Sequence, residues 1–213
     1  VKLVLTDIEG TTTPVSFVKD TLFPYARAHL AGWLRAHPED QDVVLLTQAH
    51  GGVDGALRQL LAWMDADEKA TALKSIQGRV WAAGYADGTL VAPLYPDVCP
   101  KLRAWRAHGV ELAVFSSGSV AAQHLLFAHT TEGDVRDLFR GWFDTTVGNK
   151  REPAAYLAIA RALGLPSGQI RFLSDIEAEL DAAAAAGMTT VLLARDGQRP
   201  SGRHPVARSF TAL

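Results

Sequence analysis

The chain holds 213 residues, with 21 lysines and arginines against 23 aspartates and glutamates for a formal charge of −2, and is 48% hydrophobic. That length carries one sizeable core, or a core with a smaller companion, and the even charge balance argues against nucleic acid or an anionic membrane surface as the main partner. The single cysteine, Cys99, excludes an internal disulfide and a cysteine-based zinc site, the seven histidines show no metal-ligand spacing, and no apolar run approaches a membrane span, so a cytoplasmic protein is expected.

The first short apolar run, residues 2–5, reads as a strand and leads into "TDIEGTTTPVSF". Asp7 and Glu9 stand two positions apart at its end, where desolvated like charges destabilise each other unless a cation or hydrogen bonds compensate. A carboxylate there can attack phosphorus or hold a hard cation, and Glu9 can share the metal or move a proton. The plainer reading makes Asp7 a turn residue and Glu9 a solvated neighbour. Residues 14–91 then carry helical periodicity, with Val53, Leu57, Leu60, Leu61 and Met64 on one face, and are expected to form a mostly helical cap inserted after the first strand. The expected domains are an α/β core of residues 1–13 and 92–213 and the cap of residues 14–91, placed over the carboxyl ends of the strands.

The chain re-enters the core through "PLYPDV", and a second strand is expected over residues 110–115. It runs into "SSGS" and a helix over 120–128, so either Ser116, Ser117 and the residues beside them cradle an anion, or Ser117 or Ser119 merely caps the helix. "FDTTVGNKREP" brings Lys150 and Arg151, either of which could neutralise a phosphoryl oxygen or simply be solvated. A helix over 154–163, closed by Gly164 and Pro166, precedes a strand over 170–173. Asp175 follows that strand, while Ser174 and Glu177 match a capping box for a helix over 177–186. A strand over 190–193, a polar loop over 195–205 and a last edge strand in "RSFTAL" complete the reading. Strands alternating with helices imply a doubly wound parallel sheet of the α/β class.

A carboxylate pair, an anion cradle, a cation and a further carboxylate at strand ends, in that order, resemble the haloacid dehalogenase (HAD) superfamily with its Rossmannoid core and inserted cap. Within it, "DIEGTTTPVSFVKDTLFPYA", "FSSGSVAAQHLLFAHTTEGD", "FDTTVGNKREPAAY", "FLSDIEAELDAA" and "IQGRVWAAGYADGTLVAPLYPDV" are similar to the enolase-phosphatases of methionine salvage. The resemblance implies that Asp7 attacks phosphorus and forms an aspartyl-phosphate, and that Mg2+ is held by Asp7, Glu9 and Asp175. It further implies that Ser116, Ser117 and Lys150 hold the transferring group, with Lys150 also counted among the catalytic residues and Glu9 acting as acid and then base. The implied partner is a small phosphorylated molecule, with no nucleic acid or membrane involved and the chain a monomer. Trp81, Tyr85 and Phe17 either wall a slot for the methylthio tail or pack the cap, and Arg79 either joins them or is a surface charge. Other readings remain open: a phosphatase for another small ester, a receiver that keeps its phospho-aspartate, and a dehalogenase, against which Glu9 speaks.

Overall fold

A computed structural model describes residues 1–68, 70–195 and 199–213. The chain divides into two compact units, Val1–Val15 with Ala92–Leu213, and Ser16–Val91. No helix among the described residues is long and apolar enough to cross a membrane.

Among the described residues the larger unit is built on six strands, β1 (Leu3–Thr6), β2 (Glu111–Phe115), β3 (Gly141–Phe143), β4 (Ile170–Ser174), β5 (Thr189–Leu193) and β6 (Val206–Ala207). All five pairings are parallel, in the order β3-β2-β1-β4-β5-β6. The apolar runs LVLT, ELAVF and IRFLS are buried almost end to end, as strands covered on both faces must be. Leu3, Leu5, Ala113, Phe115 and Phe172 form one side of the core with helices α8 (Pro153–Leu163) and α9 (Glu177–Ala185). Tyr156 of α8 wedges its ring edge-on between Phe115 and Phe172, 5.5 and 5.1 Å away. Helices α6 (Val98–Ala107) and α7 (Val120–Ala128) complete the set, α6 lying against β2. The chain winds outward from β1 in one direction and from β4 in the other, so the strand order reverses between these two neighbours. That is where a doubly wound sheet opens a crevice at its carboxyl edge.

The smaller unit is helical. Helix α1 (Val15–Phe17) continues through a π-helical turn, Val18–Leu22, into α2 (Phe23–Ala36), followed by α3 (Gln41–His50), α4 (Val53–Asp65) and α5 (Thr71–Ala86). Leu30, Leu34, Val43, Leu46, Ala56, Leu60, Ile76 and Val80 close its core, with Val53, Leu57, Leu61 and Met64 packed around them. Asp40 caps α3 by accepting from the backbone of Asp42 and Val43, and together with Asp42 it grips Arg79 at 2.8 and 2.7 Å. Trp81 donates its indole N–H to the Leu22 carbonyl at 2.8 Å and meets Phe23 edge to face. Arg79 and Trp81 therefore tie helices together within this unit.

Three local expectations are corrected. The edge strand is Val206–Ala207, and "RSFTAL" instead ends in a 3-10 turn, Phe210–Ala212, with Phe210 buried. Of the polar loop, residues 196–198 lie outside the described residues, while Arg195 is a buried side chain. The capping box is not formed: α9 begins after Ile176, whose N–H goes to Ser174 Oγ, and the Glu177 carboxylate accepts from Ser201 and Arg203.

Candidate active site

Parallel pairing of Thr6 with Val114 and with Leu173 sets the ends of β1, β2 and β4 level, so the residues that follow share one edge. The Asp7 N–H still donates to the Leu173 carbonyl at 2.9 Å, which extends the ladder to the first candidate residue. The chain then coils tightly. The N–H groups of Thr11, Thr12 and Thr13 and the Thr12 hydroxyl all converge on the Ile8 carbonyl, and Gly10 takes the left-handed conformation at φ +69°. The Ile8 N–H turns back to Asp7 Oδ1 at 2.8 Å and orients that carboxylate.

Asp7 is 5% exposed, and its charge is matched by Lys150, also 5% exposed, with Nζ 2.7 Å from Asp7 Oδ1. The same ammonium lies 2.7 Å from Glu179 Oε2. Burial pulls the Lys150 pKa down, but the two carboxylates outweigh it and hold the ammonium above the ordinary lysine value. The lysine arrives on the loop between β3 and α8, and its carbonyl accepts from the Tyr156 hydroxyl at 2.7 Å. Glu179 projects from α9, and burial together with the Asp7 charge pushes its carboxyl up against the pull of Lys150 and Ser174. Ser174 at the end of β4 lies 3.0 Å from Glu179 Oε2 and 3.4 Å from Asp7 Oδ2, so its single proton favours Glu179.

Asp175 comes one step beyond. Burial first, and the charge on Asp7 second, push its carboxyl up to about 7. It crowds Gly10 so closely that a Cβ on that residue would stand 2.2 Å from Asp175 Oδ2. A buried carboxylate beside a half-buried one, with their repulsion relieved by a cation, suits Mg2+, which takes one or two carboxylates and completes its shell with water and phosphate oxygens. Among the described residues no three histidine, cysteine, aspartate or glutamate side chains gather as a metal-holding group. Asp7 and Asp175 are the two brought together, while Glu9 is exposed on the same loop.

Ser116 is buried at the end of β2 and Ser117 is exposed beside it. Ser116 Oγ accepts from the Gly118 N–H at 3.2 Å, a tight local turn. The helix terminus behind it already has protein partners, since Ser119 caps the Ala122 N–H and the Asp144 carboxylate takes the Val120 N–H. An anion at this junction therefore meets the 116–118 turn, which Gln123 fastens by donating to the carbonyls of Gly118 and Phe143. Sequence reasoning did not find Glu179 or Gln123. For Glu179 a signal existed: with Ala182, Ala183 and Ala186 it forms a buried stripe at helical spacing, and a charge on that stripe needs a buried partner.

Residues 1–187 match the haloacid dehalogenase-like hydrolase family. A protein of Methylococcus capsulatus called enolase-phosphatase E1 is 48% identical over 221 residues, covering 100% of this chain and 97% of its own length. One of the same name from Sorangium cellulosum is 52% identical, covering 98% and 95%. Among solved structures, the UTR4 protein of Saccharomyces cerevisiae is 35% identical with a TM-score of 0.87 over 100% of this chain and 99% of that one. CbbY of Rhodobacter sphaeroides, solved in complex with phosphate, shares the fold at 18% identity and a TM-score of 0.64, covering 99% and 95%. With its sheet order, strand-end acids and full-length relatives all in agreement, the chain belongs to the haloacid dehalogenase-like hydrolases, beside the relatives called enolase-phosphatase E1.

Proposed function

We propose that this hydrolase is a bifunctional enolase-phosphatase that converts 2,3-diketo-5-methylthiopentyl-1-phosphate to 1,2-dihydroxy-3-keto-5-methylthiopentene and phosphate through an aspartyl-phosphate on Asp7. The observation that carries the phosphatase half is the buried Asp7, held by Lys150 and facing Asp175 at the strand switch. The relatives called enolase-phosphatase E1 and the DIEGTTTP string with Glu9 support the substrate.

Enolisation comes first, a proton leaving C1 and one being taken up by the C2 oxygen to give the 2-hydroxy-3-keto enol phosphate. An Asp7 carboxylate oxygen then forms a bond to phosphorus as the ester P–O bond breaks, and the departing oxygen takes a proton from Glu9. Water then attacks the phosphorus of the aspartyl-phosphate, Glu9 accepts the proton, and the Asp7 carboxylate is restored. We assign Glu9 the proton rather than the metal because it is exposed on the loop, whereas Asp7 is buried and Asp175 half-buried. Ser116 and Ser117 would hold the phosphoryl oxygens from the end of β2, and Lys150 would neutralise charge that builds on them. Magnesium, held by Asp7 and Asp175, would supply further charge neutralisation at the phosphate.

The test supplies the diketone phosphate with magnesium and follows enol formation and phosphate release separately. Both signals are expected from the wild type, and Asp7→Asn should abolish phosphate release with the circular dichroism spectrum unchanged. Near-normal phosphate release by that variant would remove Asp7 as nucleophile. Faster release from a simple sugar phosphate than from the diketone phosphate would overturn the substrate.

A further inference from the structure

Beyond the groups assigned above, one buried cation is tied to the nucleophile loop from another part of the sheet. Arg195 lies two residues past β5, with its side chain 6% exposed. Its Nε–H donates to the Thr11 carbonyl at 2.9 Å, while Nη1 and Nη2 make a bidentate pair with Asp97 at 3.0 and 2.9 Å. Its guanidinium carbon lies 3.9 Å from the centre of the Tyr95 ring and 5.3 Å from that of Phe210. Asp97 also accepts the Phe210 N–H, and the Tyr95 N–H donates to the Thr12 carbonyl.

We propose that Arg195 is a positioning residue for Asp7, acting through the 8–13 loop. Four donors on the Ile8 carbonyl make that loop a knot that moves as one piece. Its Ile8 N–H sets the Asp7 carboxylate, and its Gly10 sits against Asp175 with no room for a methyl group. Arg195 and Tyr95 grip the knot at two successive carbonyls, Thr11 and Thr12. A loop released by Arg195 turns Asp7 away from the line of attack and changes its spacing to Asp175. Sites of this kind need placement within about 0.5 Å, and a misplacement of about 1 Å costs on the order of 100-fold in rate. The site calls for arginine specifically: lysine can reach one carbonyl but cannot pair with Asp97 bidentately or present a flat face to Tyr95.

The inference rests on Asp7 being the nucleophile, so Asp7→Asn is run beside Arg195→Ala and Arg195→Lys in the full chain, with the diketone phosphate and magnesium. Both Arg195 variants are expected to lose about 10–100-fold in kcat, with KM changed by less than about threefold. Millimolar guanidinium chloride should restore part of the kcat of Arg195→Ala, where equal sodium chloride does not. Should the alanine variant fail to fold, the lysine variant carries the comparison. Wild-type kcat within about twofold in a folded Arg195 variant, or a loss confined to KM, would overturn the positioning role. Active Asp7→Asn would instead remove the nucleophile on which the inference rests.

Discussion

Replacing Lys150 by Met removes the cation between Asp7 and Glu179 and keeps an unbranched stem of similar length against the Phe115 ring, above which the ammonium sits at 5.6 Å. At 2.7 Å and an effective dielectric constant of about 20, each ion pair is worth about 6 kcal/mol of gross attraction. Desolvation of three buried ions, at several kcal/mol each, offsets most of that sum. The variant keeps the desolvated carboxylates and loses their compensation, so a loss of about 3–5 kcal/mol is expected. At about 2–4 °C per kcal/mol for a chain of this size, the melting temperature should fall by about 6–20 °C. Glu179→Gln, made alone and on top of Lys150→Met, isolates the coupling. The double variant should be more stable than the sum of the single losses implies by about 1–3 kcal/mol, because the neutral amide no longer needs the lysine. Equilibrium urea unfolding of the four proteins near neutral pH reads this directly. Losses that add to within about 0.5 kcal/mol, or a Lys150→Met protein as stable as the wild type, would refute the charge-compensation argument.

Gly10→Ala should cost phosphate release about 100-fold, since Asp175 Oδ2, 2.2 Å from the new Cβ, must retreat by about 1.2 Å to reach an ordinary 3.4 Å contact. Left-handed strain of about 1–2 kcal/mol, less about 0.4–1 kcal/mol recovered from the stiffer unfolded chain, predicts only a small fall in melting temperature; full activity would contradict the crowding. Burial raises the Asp97 carboxyl, but the Arg195 guanidinium and the Phe210 N–H outweigh it and leave the pKa below the usual aspartate value. The stability this contributes is fully present above the unfolded-state value near 4 and is lost as pH falls through the lower folded value. The difference in urea stability between wild type and Asp97→Asn should therefore shrink on acidification from pH about 5 to pH about 3. A difference that stays constant would mean that Asp97 is not stabilised there as an anion.

The four longer strands were legible because each is an apolar run ending in small polar residues, a signal that needs four or five residues to register. β3 and β6 span only Gly141–Phe143 and Val206–Ala207, too short for any pattern. Helix α6 was hidden by Pro100, which reads as a breaker yet stands in the first turn, where its missing N–H is not needed. Asp7 and Asp175 stood out by their places after legible strands and Lys150 only by following the "FDTTV" stretch, and the structure gathers the three at one edge. Ser174 was misread because S-x-x-E mimics a helix start, while the hydroxyl serves the buried carboxylates. Arg195 carried no local signal, since Thr11 and Asp97 lie in distant stretches of the chain.

The sheet order also bears on how the protein is made. β1 precedes every other strand of its sheet in the chain but lies in the middle, between β2 and β4. During synthesis at about 5–20 residues per second it waits on the order of ten seconds after emerging before β4 can follow and cover its second edge. The helical unit, whose contacts are local, can reach its own core within that interval, while Asp7 has neither Lys150 nor Asp175. If Asp7 is the nucleophile proposed above, phosphoryl chemistry is withheld from the nascent chain until Lys150 and Asp175, the last partners of that carboxylate, have been made.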